Sequence, residues 1–301
     1  MKFKRNAAFT LLEMVIAAGI AAIVGLGLVS FSWASSRLGA RNLAFNHGNS
    51  ALAGTANRLV RDLQSSASIF TLVDFDGTTY VDSTASISAD QDPLTAQYLS
   101  SRSNAVRFWQ TAAGPLQLKA ATTPTTTDLS FDFGPVVNGA LPYTPAVNDK
   151  VWFPLLDQEF QIIAVVTAPT TSSTIGVVRI HKASGIGYTL SVTSPNVTVA
   201  SFFRQVAYSA YNNTLRFHPN FSNSPGSCVV TSNNITSPKP FSVLYATSTS
   251  SASPRTDLRL SFEAYDLNYT NFKFPNGALT LQTVISARDQ PTFVSALQTP
   301  L

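Results

Sequence analysis

The order of apolar and polar residues divides the chain into three consecutive patterns, and the first predicts a membrane-spanning helix. Residues 9–33 are almost entirely apolar and contain a single charged side chain, that of Glu13. A helix over these residues would be about 37 Å long, at about 1.5 Å per residue. That length is sufficient to cross the hydrocarbon core of a bilayer with some tilt.

The second pattern covers residues 34–70 and has the period of an amphipathic helix. Polar and basic residues separate a stripe of apolar positions, which are Leu38, Phe45, Leu52, Ala56, Leu59, Leu63 and Phe70. Such a stripe predicts a helix that packs against another part of the protein. Together with the span it predicts one helix over residues 9–70, about 90 Å long. Three glycines, Gly39, Gly48 and Gly54, weaken the prediction that this helix is continuous.

Beyond residue 70 the pattern changes to short runs with strand character, bounded by turn residues. Strands are predicted over residues 105–110, 116–120, 129–133, 150–153, 160–167, 175–181, 188–192, 202–211, 214–218, 242–246, 257–264 and 278–287. Asn212-Asn213 marks a tight turn between two of them, and exposed loops are predicted at 122–127, 169–174 and 247–254. No second long helical pattern follows. The sequence therefore predicts an α+β fold, in which a mostly antiparallel β head (residues 71–301) packs on the distal half of the helix.

The charged residues distinguish the two sides of the predicted span. Lys2, Lys4 and Arg5 precede it and few charges follow it, so the positive-inside rule predicts a cytoplasmic amino terminus and an exported head. These residues supply three of the four charges in the formal net charge of +4. Without them about +1 remains, and that balance predicts no binding to nucleic acid.

Glu13 is the informative residue of the span. A carboxylate inside the membrane costs a few kcal/mol unless it has a partner, and a simple signal anchor gains nothing from it. A cleavable secretory signal also fits poorly, because its apolar core is about 7–15 residues long. Cleavage between Ala8 and Phe9 would create an amine close to Glu13 of the same chain or of a neighbouring one. The carboxylate is therefore interpreted as the partner of that amine.

The stretch Ala8-Phe9-Thr10-Leu11-Leu12-Glu13 resembles the cleavage and methylation motif of type IV prepilins and type II secretion pseudopilins. The resemblance implies that a prepilin peptidase removes residues 1–8 as a basic leader and N-methylates Phe9. It also implies that Glu13 helps to assemble the subunit into a filament, and that the head is pilin-like. The family usually has glycine before the cut, where this chain has Ala8.

Features of the head are similar to one subgroup of this family. The order of the last strands and the stretch Arg58-Leu59-Val60-Arg61-Asp62-Leu63 resemble J-type minor pseudopilins and the larger minor pilins. The implied partners are other pilin or pseudopilin subunits, the prepilin peptidase, an inner-membrane assembly platform and membrane lipid. The implied location is the bacterial inner membrane, crossed once, and then a periplasmic or cell-surface filament. A monomeric, membrane-anchored binding module or adhesin is the alternative, and it would need no cleavage.

The remaining chemistry of the sequence does not predict an enzyme. Its three histidines form no close-spaced pair, and we assign no catalytic residue, cofactor or metal site. Asp74, Asp76, Asp82, Asp90 and Asp92 resemble a calcium-binding loop that lacks its terminal acid, and turn-forming aspartates are the favoured interpretation. Charged residues make up only 12% of the chain. The single cysteine, Cys228, is predicted to be a buried thiol, and a reactive or intermolecular thiol is the alternative.

Overall fold

A computed structural model describes residues 10–67, 70–84, 86–119, 128–155, 158–181, 199–221, 228–233, 235–245, 257–264 and 279–286. Helix α1, Leu11–Gln64, is the one helix in these ranges and is unbroken. The prediction of a continuous helix is thus confirmed, but its predicted end at residue 70 is wrong. The chain leaves the helix at Ser65 and joins a sheet two residues later, where the Ala67 N–H donates to the Trp109 carbonyl over 2.8 Å.

Fifteen strands follow α1 in the described ranges. They are β1 (Thr71–Phe75), β2 (Tyr80–Asp82), β3 (Ile87–Gln91), β4 (Tyr98–Ser100), β5 (Ala105–Lys119), β6 (Asp128–Asp132), β7 (Lys150–Phe153), β8 (Gln158–Thr167), β9 (Ile175–His181), β10 (Val199–Tyr211), β11 (Thr214–His218), β12 (Val229–Ser232), β13 (Phe241–Tyr245), β14 (Asp257–Ala264) and β15 (Leu279–Ser286). The β pairings between them are all antiparallel. The coarse prediction of a long apolar helix followed by a largely antiparallel β region is confirmed.

The predicted strands agree with the structure where alternation is strong. Four of them, β7, β9, β11 and β14, have the predicted bounds, whereas the two predicted runs 105–110 and 116–120 form the single strand β5. Five short strands, β1 to β4 and β12, were not predicted. Asn212 and Asn213 do form the tight turn, with φ of 50° and 58°. The predicted strand 188–192 and the loops 122–127 and 247–254 lie outside the described residues.

Six strands of the larger sheet close into a ring. In that sheet the order is β12-β11-β10-β7-β8-β9-β6-β5-β1-β2, and an additional pairing joins β10 to β5. The strands β5, β6, β9, β8, β7 and β10 therefore form a closed barrel. Buried aromatic side chains fill much of its interior. The rings of Phe202 and Phe131, for example, pack edge to face with their centroids 5.1 Å apart. The barrel thus has a core of its own, to which α1 contributes no residue.

One face of the distal half of α1 is buried against both sheets of the β region. Leu52, Leu59 and Leu63 pack in one core with residues of β1, β5, β10 and β11 from the larger sheet. The opposite side of that core comes from β13, β14 and β15 of a second sheet, whose strand order is β15-β14-β13-β4-β3. The predicted packing of a β region on this half of the helix is therefore present.

The predicted apolar stripe is buried in its second half alone. Within the described chain Leu38 is 60% exposed and Phe45 is 44% exposed. The first buried residue of α1 is Ala44, and the buried positions continue to Leu63. The heptad spacing of Leu38 and Phe45 thus continues the stripe along the helix beyond the region that the β structure covers.

Candidate processing and assembly site

Thr10 and Glu13 form a capping box at the amino end of α1. The Thr10 N–H and the Thr10 hydroxyl each donate to Glu13 Oε2 over 2.9 Å, and the Glu13 N–H donates to Thr10 Oγ1 over 3.3 Å. The sequence produces this arrangement because Thr-x-x-Glu precedes an apolar run, which is the signature of such a cap. The carboxylate also lies in the first turn, where the helix dipole favours a negative charge.

The capping box gives Glu13 a local role that the sequence interpretation missed. Its signal was present, since Thr10 stands three residues before Glu13. Both bonds from Thr10 go to Oε2, and among the described residues Oε1 accepts no hydrogen bond. The predicted cleavage and methylation residues, Ala8 and Phe9, lie outside the described residues. The proximity of a new amine at Phe9 to Glu13 therefore stays a prediction.

The apolar half of α1 is uncovered. It is long and apolar enough to cross a membrane, and none of its most apolar stretch is buried within the described chain. Leu11, Ile20 and Leu28, for example, are all exposed, as is Glu13 itself. Gly19, Gly25 and Gly27 have no neighbouring atoms within 4 Å of where a Cβ would be. The described residues leave this half uncovered, as is expected of a helix that contacts lipid or another chain.

The comparison with protein-family models matches residues 3–29 to the prokaryotic N-terminal methylation motif. The chain therefore carries a prepilin-type N-terminal segment. This match confirms the resemblance of the N-terminal segment to type IV prepilins and type II secretion pseudopilins. Comparisons with curated proteins and with solved structures gave no match.

The aspartates that resembled a calcium loop lie in separate local structures. Asp76 accepts from the backbone N–H groups of Thr78 and Thr79, each over 2.7 Å, and these bonds lower the pKa of its carboxyl well below the usual range. Asp92 is buried and pairs with Arg259 over 2.7 Å. Among the described residues no three His, Cys, Asp or Glu side chains are grouped so that they could hold a metal ion.

Cys228 and His218 are two further reactive side chains of the described β region. Cys228 is exposed, so its predicted burial is wrong; it precedes the edge strand β12, whose Val229 and Val230 are exposed as well. His218 is buried, and its Nε2 lies 3.0 Å from Ser209 Oγ, which is also buried. Burial and the nearby Arg216 lower the pKa of His218 to about 4. This pair resembles a nucleophile and its base, but solvent reaches neither side chain.

Proposed function

We propose that the protein is a structural subunit of the minor pilin or minor pseudopilin type, cleaved between Ala8 and Phe9 and N-methylated at Phe9. The methylation motif supports this proposal, since proteins with that motif are structural subunits and not enzymes. The subunit would be held in the bacterial inner membrane by α1, with its β region exported. From there it would join a type IV pilus or type II secretion pseudopilus.

The observation that carries the proposal is the uncovered apolar half of α1 with a carboxylate at its start. Its apolar side chains remain exposed in the described chain. Glu13 Oε1 accepts no hydrogen bond from the described residues, so it is available to pair with a cation. Side-by-side packing of such helices would bury the apolar surface. Glu13 would then pair with the methylated amine of Phe9 on a neighbouring subunit. Thr10 and Glu13 both follow the cleavage point, so the cap is compatible with processing.

Two substitutions separate the pairing role of Glu13 from its capping role. Glu13→Gln keeps an oxygen that can accept from Thr10, because glutamine also serves in capping boxes, but it removes the charge. Thr10→Ala keeps the charge and removes the N-cap hydroxyl, at about 1 kcal/mol of helix stability. Each variant is expressed with its prepilin peptidase and partner subunits, and incorporation is measured as the fraction of the protein recovered in sheared filaments or cross-linked assemblies.

We expect Glu13→Gln to lower incorporation about ten-fold or more, since truncating one partner of a buried charge pair costs about 2–5 kcal/mol. Thr10→Ala should assemble at close to the wild-type level, and both variants should still insert in the membrane. Normal incorporation of Glu13→Gln, with failure of Thr10→Ala, would show that Glu13 acts only as a helix cap.

A membrane-anchored binding module is the second candidate, and the closed barrel favours it. The barrel has its own buried core, to which α1 contributes no residue, so it could present a binding surface without polymerisation. Intact-mass and N-terminal peptide analysis of the membrane-extracted protein distinguishes the two functions. A chain that begins with N-methylated Phe9 supports the filament subunit, whereas a chain that retains residues 1–8 supports the anchored module.

A further inference from the structure

The part of α1 just beyond the apolar span carries two arginines and no acidic residue. Arg37 and Arg41 are exposed and one helical turn apart, and the guanidinium carbon of Arg37 lies 5.3 Å from the centroid of the Trp33 ring. Between Glu13 and Asp62 the sequence contains no aspartate or glutamate. No carboxylate on the neighbouring turns of α1 therefore balances either guanidinium.

These residues lie at the depth of a lipid headgroup layer. From Leu11 to Trp33 the helix rises about 33 Å, close to the thickness of the hydrocarbon core of a bilayer. Arg37 and Arg41 follow about 6 Å and 12 Å further along the axis. Helical side chains lean toward the helix amino terminus, so both guanidinium groups reach back toward the membrane. Trp33 is of the residue type that prefers this boundary.

The described residues of the β region leave this part of the helix open. Residues 31–39 are all exposed, and the first buried residue of α1 is Ala44. Arginines at the exported end of a span also oppose the charge rule that orients it. Their presence beside an interfacial tryptophan favours an interaction with negative charge at this depth. Phosphate groups supply that charge, and the planar fork of arginine matches their geometry.

We propose that Trp33, Arg37 and Arg41 form a binding site for the phosphate groups of anionic phospholipids, in the leaflet on the side of the membrane to which the β region is exported. The stacking of Arg37 on Trp33 orders one guanidinium for this contact. Binding there sets the depth of the helix in the bilayer before the subunit is extracted into a filament. The inference depends on the membrane topology included in the proposed function.

The test uses the full chain, purified in detergent and titrated with phosphatidylglycerol or phosphatidylcholine, with bound lipid counted by native mass spectrometry. We expect the wild type to prefer phosphatidylglycerol. In the double variant R37Q/R41Q, binding of phosphatidylglycerol should weaken about ten-fold or more, since each basic residue near an anionic surface contributes about 1 kcal/mol. The matched control R58Q/R61Q removes the same charge from exposed positions further along α1 and should bind as the wild type does.

Three results would overturn the site: equal binding of the two lipids by the wild type, unchanged binding in R37Q/R41Q, or an equal loss in R58Q/R61Q. A loss of self-association in R37Q/R41Q without a change in lipid binding would assign the arginines to contacts with a second copy. Extraction with alkaline carbonate tests the topology separately. Release of the chain from membranes would contradict the proposed function, whereas a retained chain without lipid preference would contradict only this site.

Discussion

Leu26 and Leu59 belong to the same unbroken helix, yet Leu26 is 69% exposed and Leu59 is completely buried. The two leucines have the same helix propensity and the same apolar surface, so the difference comes from what surrounds each half. Around Leu59 two sheets supply the partners. Around Leu26 the described chain supplies none, which fits a membrane-anchoring helix.

This contrast shows that apolar composition identifies a surface that must be covered, without identifying what covers it. The proximal half of α1 is more apolar than the distal half, but the distal half holds the core. In the distal half apolar residues recur on one face, and the β region packs against that face. In the proximal half they surround the helix, which is the pattern of a helix with no aqueous side.

The sharpest test of the contrast is one substitution made in each half. Leu59→Ala should lower the free energy of unfolding of the β region by about 2–5 kcal/mol, because it removes buried methyl groups and leaves a cavity. Leu26→Ala should leave that free energy unchanged. Both free energies are measured by urea denaturation of the detergent-solubilised chain, and unfolding is followed by the fluorescence of Trp109, which is buried in the β region. Equal effects of the two substitutions would contradict the division of the helix.

Acid should affect the two regions differently, because a buried histidine lies in the β region. The pKa of His218 is lowered to about 4 in the folded protein, compared with about 6.5 in an unfolded chain. As the pH falls below about 6.5 the unfolded state binds a proton that the folded state does not. The stability associated with neutral His218 is therefore complete above pH about 6.5 and is lost as the pH falls toward 4.

Between pH 7 and pH 5 this linkage should cost about 2 kcal/mol of unfolding free energy. His218→Gln should flatten that slope, whatever its effect on stability at pH 7. The span contains no ionisable side chain between Glu13 and Arg37, so membrane retention should not change over the same range. An unaltered slope in His218→Gln would contradict the assignment.

A smaller effect is expected where the helix is joined to the sheet by a hydrogen bond. The Tyr208 hydroxyl donates to Asp62, and burial raises the pKa of that hydroxyl. Tyr208→Phe should cost about 1 kcal/mol of unfolding free energy. Tyr98→Phe is the matched control, because the Tyr98 hydroxyl on β4 makes no hydrogen bond to α1 among the described residues. It should change the free energy of unfolding by less than about 0.5 kcal/mol. If both substitutions were neutral, this bond would not contribute to the helix–sheet contact.

The sequence predicted the features that depend on local pattern. The apolar run and the heptad spacing of Leu52 and Leu59 predicted a continuous helix, and Asn212-Asn213 predicted the tight turn that joins β10 to β11. The resemblance of the first residues to a methylation motif was confirmed by the family comparison. The assembly role of Glu13 stays a prediction, and its bond to Thr10 was overlooked, although the Thr-x-x-Glu spacing signals it.

Features that depend on distant partners could not be predicted. Strand β3 reads Ile-Ser-Ala-Asp-Gln and has few apolar residues, because it lies at the edge of the second sheet. Closure of the barrel depends on the pairing of β6 with β9, which no local pattern encodes. Cys228 was predicted to be buried from the usual behaviour of lone thiols, and its position beside an edge strand makes it exposed.

The pairing of β5 with β10 has a consequence for how this molecule can change. Residues 105–111 pair directly with residues 203–209 and hold the face that packs on α1. In the sequence, strands β6 to β9 all lie between β5 and β10, which are hydrogen-bonded neighbours. The inserted segment therefore begins and ends at adjacent strands of the sheet. A short hairpin connection could replace the whole insertion and leave the register beneath it intact. We therefore expect the insertion to tolerate shortening or exchange while α1 remains the same, provided that Ala200 and Phe202 of β10, which belong to the barrel core, keep an apolar cover.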